Sequence, residues 1–151
     1  MANNRSTDLP QPTRDLNTAT ANLNEFGYCL VTDALSSIET DTLRTRLIEQ
    51  AVAEKQKGLA FEDGGPQQNW GDFRDTEGQL RPQSFTEDGG GRNQRVWMLI
   101  NKGEIFQRVL FKPTVRQLVE HVLGEHYLLS SHTANIAKPG GVSMDLHTDQ
   151  W

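Results

Sequence analysis

Cysteine occurs only once in the 151 residues, at Cys29, so the chain can form no disulfide within itself and cannot build a thiolate metal cage. Its place in Gly27-Tyr-Cys-Leu-Val31 reads as a buried strand, where a free thiol acts as a small hydrophobe. Long apolar runs are missing as well. Nothing approaches the roughly 18 consecutive apolar residues of a membrane span, and the opening "MANNRSTDLPQPTRD" lacks the apolar core of a secretory signal. There is no basic excess either: 15 Lys and Arg stand against 20 Asp and Glu, for a formal charge of −5 without a long block of one sign. That balance gives nucleic-acid binding little support. A soluble cytoplasmic protein, with neither membrane nor nucleic acid as partner, is the default expectation. Nothing in the sequence reads out an oligomeric state.

What is present suits one domain of ordinary size, which would bury roughly 70% of its unfolded surface. Residues 1–14 are polar, carry Pro10 and Pro12, and read as a mobile arm before a single domain over 15–151. Asp15 can cap a helix whose apolar stripe is Leu16, Ala19, Leu23 and Phe26, and Gly27 ends it. Ser36 and Glu39 have the spacing of a capping box, which opens a second helix with Leu43, Leu47, Ile48 and Ala51 on one side. Between Phe61 and Arg95 no helical or strand period survives, and the spaced aromatics Trp70, Phe73 and Phe85 suggest a lid or loop that partly packs.

"RVWMLI", from Arg95 to Ile100, reads as a buried strand, and "EIFQRVLF" as a short helix. Pro113 can start a further helix that Gly124 stops. "HYLLSSHTANIA" is the next strand candidate, turned by Lys138-Pro-Gly-Gly141 into a closing strand. Helices first and strands last suggest α+β, with the helices packed on one side of a sheet.

The closing stretch "VSMDLHTDQW" holds the chemistry. In a strand His147 and Asp149 share a face, because alternate side chains point the same way. One imidazole and one carboxylate on one face make two thirds of the 2-His-1-carboxylate triad that holds non-haem Fe(II) with positions left open. Taken alone, the pair is equally a polar solvent face opposite Val142, Met144 and Leu146, since a chain with four histidines and many aspartates produces it by chance.

Context shifts that balance. "EFGYCLVTDALSSIETDTLRTRL", "IAKPGG" and "LHTDQW", in this order, resemble the N-terminal portion of the phytanoyl-CoA dioxygenase family of Fe(II)/2-oxoglutarate-dependent oxygenases. The resemblance implies a double-stranded β-helix, a jelly-roll or cupin-like barrel, with N-terminal helices packed on its first strands and the barrel incomplete at the C-terminus. It implies that His147 and Asp149 are the first histidine and the carboxylate of the iron site. Trp151 would return to the metal face and wall the cofactor pocket, or pack into the barrel. His132 and Asn135 would lie where the family places polar contacts to the keto acid, and Lys138, Pro139 and Gly140 would form a structural turn before the metal strand. Fe(II), 2-oxoglutarate as co-substrate, molecular oxygen and a small organic substrate are the implied partners. Halogenating relatives lack the carboxylate, so Asp149 favours hydroxylation or a related C–H oxidation.

The family pattern also needs a second iron-binding histidine and a cation for the far carboxylate of 2-oxoglutarate, and no residue here fills either role. His121 and His126, at or just past a helix end, suit the helix dipole better than a metal. The expectation is therefore a truncated chain, inactive or weakly active. One alternative is a non-catalytic fragment that binds a partner through an open sheet edge. Another is a zinc-binding or cupin-like domain using His132, His147 and Asp149. Trp70, Phe73 and Trp97 would either line a substrate pocket or pack in the core. The glycines of "EDGGGRNQ" lack the Lys-Ser/Thr of a phosphate loop.

Overall fold

The computed structural model describes residues 9–65, 76, 77, 79 and 91–142. The chain divides into two compact units, one of Met1–Leu43 with Glu104–Ser130 and one of Arg44–Gly103 with Ser131–Trp151.

In the first unit, helix α1 (Leu16–Phe26) begins as its sequence requires: Asp15 Oδ1 accepts from the Thr18 N–H at 2.7 Å, which satisfies one of the donors left open at a helix start. Gly27 ends it in the left-handed conformation, φ 79°, donating its N–H to Leu23. Helix α2 (Ser37–Gln56) opens with both halves of the capping box. The Glu39 N–H donates to Ser36 Oγ at 3.2 Å, and the Ser36 N–H donates to Glu39 Oε2 at 2.8 Å. Helices α3 (Glu104–Leu110) and α4 (Pro113–Leu123) follow, the latter with Pro113 in its first turn and Gly124 as its stop. Ala19, Phe106 and Pro10 are the buried apolar side chains of this unit among the described residues.

One expectation meets a different structure here. "YCLV" forms no strand: Val31 makes a single parallel bridge, with Thr13, and Cys29 is half-buried in the extended segment before it. The bridge is made by the Thr13 N–H donating to the Leu30 carbonyl and the Thr32 N–H donating to the Thr13 carbonyl, both at 2.9 Å.

The second unit holds a three-stranded antiparallel sheet in the order β1 (Phe61–Asp63), β2 (Asn93–Val96) and β3 (Ala134–Ile136). Its first two strands lie at the ends of the stretch that has no strand period, because Glu62, Asp63, Asn93 and Gln94 are polar and strands are poor in such residues. All four are nonetheless buried, between 2% and 8% exposed. The strand read from Arg95 to Ile100 instead stops at Val96. Met98 adopts φ 55°, a left-handed conformation in which few residues other than glycine are found, and a 3-10 turn follows at Leu99–Asn101. The Leu99 N–H is satisfied across the chain by the His132 carbonyl at 2.8 Å. Val96, Leu99 and Ala51 are the buried apolar residues of this unit among those described.

The helices and the antiparallel sheet make the chain α+β. None of the described helices is long and apolar enough to cross a membrane.

Candidate functional site

Residues paired directly across neighbouring strands share a face of the sheet, and the faces alternate along each strand. Phe61, Arg95 and Asn135 therefore stand in one row, with Asp63 and Asn93 on the same face. Glu62, Gln94 and Ile136 lie on the other face. The C-terminal half of α2 covers that second face: Gln94 Nε2 donates to the Ala51 carbonyl at 2.8 Å, and Lys55 Nζ donates to Glu62 Oε1 at 3.3 Å. Asn135, the expected keto-acid contact, is thus on the side away from the helix and is exposed.

Each buried carboxylate among the described residues of this unit is held by a cation. Glu62 Oε1 receives Lys138 Nζ at 3.0 Å as well as Lys55. Asp63 is paired with Arg95, and Glu54, on α2, with Lys102. Burying a carboxylate without such partners would cost several kcal/mol, roughly the scale of desolvating an ion. Of these carboxylates' oxygens, Asp63 Oδ1 is buried and meets no hydrogen-bond donor among the described residues.

His132 stands before β3 and is half-buried, and burial holds its imidazole pKa below the ordinary value. That favours the neutral ring, the form that can bind a metal or accept a hydrogen bond. Lys138, Pro139, Gly140 and Gly141 form the expected turn. Gly140 has φ 84° and the Gly141 N–H donates to the Lys138 carbonyl at 3.1 Å, which suits proline and glycine at the two central places of a type II turn. Lys138 serves as an anchor through its bond to Glu62.

His147, Asp149 and Trp151 lie outside the described residues, as do Trp70 and Phe73 and most of the expected lid. Among the described residues no three His, Cys, Asp or Glu side chains converge as a metal cage would need. His121 Nε2 sits 2.8 Å from Asn24 Oδ1, a contact between α4 and α1, and His126 is exposed beyond the helix stop. Trp97 packs edge-on against Phe61, ring centres 5.4 Å apart, while remaining 43% exposed. An open surface cleft lined by Pro10, Thr13, Asn22 and Phe26 holds none of the expected metal or keto-acid residues.

The sequence did not point to Glu62, Asp63, Asn93 or Arg95. The signal was an unusual one, since "FEDGG" and "GRNQRV" are polar runs beside glycines where strands ordinarily alternate with apolar residues.

The chain matches no family model, and no solved structure matches it. It is 30% identical over 138 residues to a protein of Aspergillus fumigatus named Dioxygenase af480. The matched region covers 91% of this chain and 38% of that protein, so the chain spans well under half the length of the curated relative it resembles.

Proposed function

We propose that this chain is the metal-strand portion of an Fe(II)/2-oxoglutarate-dependent dioxygenase of the phytanoyl-CoA dioxygenase kind, acting on a small organic molecule by hydroxylation or a related C–H oxidation. The observation that carries the reading is the similarity along 91% of the chain to a protein named as a dioxygenase, in a sequence that also holds His147 and Asp149 two residues apart. The donor chemistry fits iron: a neutral imidazole nitrogen and a hard carboxylate oxygen are two of the three protein ligands of a facial triad. When bound, the metal and its 2-oxoglutarate supply the oxidising power, coupling decarboxylation of the keto acid to oxidation of a substrate C–H bond.

The chain's own residues have narrower tasks. His147 and Asp149 hold the metal from one face of an extended segment. Asn135, and His132 in its neutral form, offer polar contacts to the keto acid, and Trp151 shields the pocket from water. His147 and Asp149 supply two of the three protein ligands of such a triad, and two ligands alone hold the metal weakly. The double-stranded β-helix belongs to the same proposal, with the antiparallel sheet β1–β3 as part of its wall.

The test is oxygen consumption by the purified chain with Fe(II), in the presence and absence of 2-oxoglutarate. Uptake that requires 2-oxoglutarate and disappears in Asp149→Ala supports the reading. A chain that retains zinc through dialysis and loses it in His132→Ala points to a zinc site instead. A second reading has one observation in its favour: the outer edges of β1 and β3 face no further strand among the described residues. Such edges can accept a strand from a partner, and a stable monomer that binds no metal would favour that reading.

A further inference from the structure

We propose that the sheet face turned away from α2 binds a neutral alcohol, with the buried Asp63 carboxylate accepting the ligand's hydroxyl and the Phe61–Trp97 pair against its apolar body. Binding of this kind stands apart from any metal, and naming the alcohol as the organic substrate rests on the iron-site reading above.

Asp63 is the last residue of β1 and shares its face of the sheet with Phe61, Arg95 and Asn135. Two contacts bear out that alternation. Arg95 Nε donates to Asp63 Oδ2, and Trp97, two residues beyond Arg95, meets Phe61 edge-on. Along this face exposure falls in steps. Asn135 is exposed and Trp97 is 43% exposed, while the Arg95 side chain is 21% exposed and that of Asp63 only 2%. A small molecule approaching it meets an aromatic and amide rim first and the carboxylate last.

The second oxygen of that carboxylate calls for a ligand. Asp63 Oδ1 is buried and meets no hydrogen-bond donor among the described residues. Buried polar atoms are hydrogen-bonded in the great majority of cases, and an unmet charged acceptor is costly. A group that brings a donor to Oδ1 restores what burial removed.

The neighbouring guanidinium decides which donor. Arg95 already balances the Asp63 charge, so an ammonium group at Oδ1 would set a second cation close to the first, where like charges repel. A carboxylate or a ketone would bring acceptor oxygens against an acceptor. A hydroxyl brings one O–H donor and no charge. The rings of Phe61 and Trp97 offer apolar surface for the rest of the molecule. The class is therefore an apolar alcohol. At neutral pH 2-oxoglutarate has no donor to give, so the ligand of Asp63 is distinct from the keto acid.

The experiment uses the full chain in EDTA, so that no metal takes part, and three probes of similar shape: cyclohexylmethanol, its methyl ether and cyclohexylmethylamine. Affinities are read by saturation-transfer NMR titration. The native chain should bind the alcohol about 10-fold or more tightly than the ether, as a hydrogen bond to a charged acceptor warrants. It should also bind the alcohol more tightly than the amine. Asp63→Asn keeps the shape of the side chain, and with its oxygen turned to Arg95 it presents an N–H donor where Oδ1 stood. The preference for alcohol over ether should vanish or invert. Trp97→Ala should weaken alcohol and ether alike. Equal affinity of the native chain for alcohol and ether, or no saturable binding of either, overturns the proposal. A preference that survives in Asp63→Asn overturns the role of Asp63, and tighter binding of the amine overturns the choice of a neutral donor. Should Asp63→Asn fail to fold, the alcohol-to-ether ratio in the native chain decides. The two readings fail separately: an alcohol preference in a chain that takes up no Fe(II) leaves the site standing and removes only the word substrate. Fe(II) uptake without an alcohol preference removes the site and leaves the iron reading intact.

Discussion

Lys112 Nζ lies 2.9 Å from Glu39 Oε2, the same oxygen that accepts the N–H of Ser36 three residues before it in the chain. A helix start and a residue 73 positions later are thus tied to one carboxylate. The hydrogen bond from the Ser36 backbone, then that from Lys112, hold the Glu39 carboxyl down at about 2 from its ordinary 4.5.

Because the folded pKa is the lower one, the unfolded chain takes up the proton first as pH falls. The stabilisation from Glu39 is complete above about pH 4.5 and is lost as pH drops toward 2. The thermal midpoint of Glu39→Gln should lie below that of the native chain at neutral pH, and the two should converge on the acid side. A constant gap from pH 7 to pH 2 would show that the charge is not what matters.

Ser36→Ala removes the other half of the box and leaves the Glu39 N–H without its acceptor. The expected cost is about 1 kcal/mol, measured by denaturant unfolding, with Ser36→Asp retaining most of the stability.

Phe106 is 2% exposed in the first unit. Phe106→Ala should cost about 3–5 kcal/mol, through lost transfer energy and the cavity left behind. Phe106→Leu should cost clearly less. With so few buried apolar side chains among the described residues, the larger change should leave much of the population unfolded at 25 °C, which circular dichroism would show.

In the second unit polar contacts take over much of what apolar packing does elsewhere. Removing the Glu62 carboxylate in Glu62→Ala leaves Lys55 and Lys138 facing one another without their shared acceptor. A loss of about 1–3 kcal/mol is expected. Lys138→Met should cost less, since Lys55 still neutralises Glu62.

The helices were legible because their punctuation is local. Asp15, Ser36 with Glu39, Pro113 and the glycines at 27 and 124 each do in the structure what their residue type favours. The sheet was not legible to the same degree. β1 and β2 bury Glu62, Asp63, Asn93 and Gln94, and what makes that tolerable is a set of partners, Lys55, Lys138, Arg95 and the Ala51 carbonyl, up to 76 positions away. A pattern of apolar alternation cannot report pairings of that kind. The end of β2 follows the same logic. "RVWMLI" has the composition of a strand, yet Met98 turns left-handed and the Leu99 N–H is taken by the His132 carbonyl. At the candidate site the turn at Lys138–Gly141 was legible from Pro139 and Gly140, whereas the amide of Asn93 that grips it was hidden in a polar run. His147 and Asp149 stand on the sequence alone.

The central claim is that these two side chains grip one iron atom together, and anaerobic titration of the native chain with Fe(II) tests it most directly, beside His147→Ala and Asp149→Ala. The account predicts weak but saturable binding at one site, reduced by about 10-fold or more in each variant and not reduced further when both are combined. Equal affinity in all four chains would contradict it.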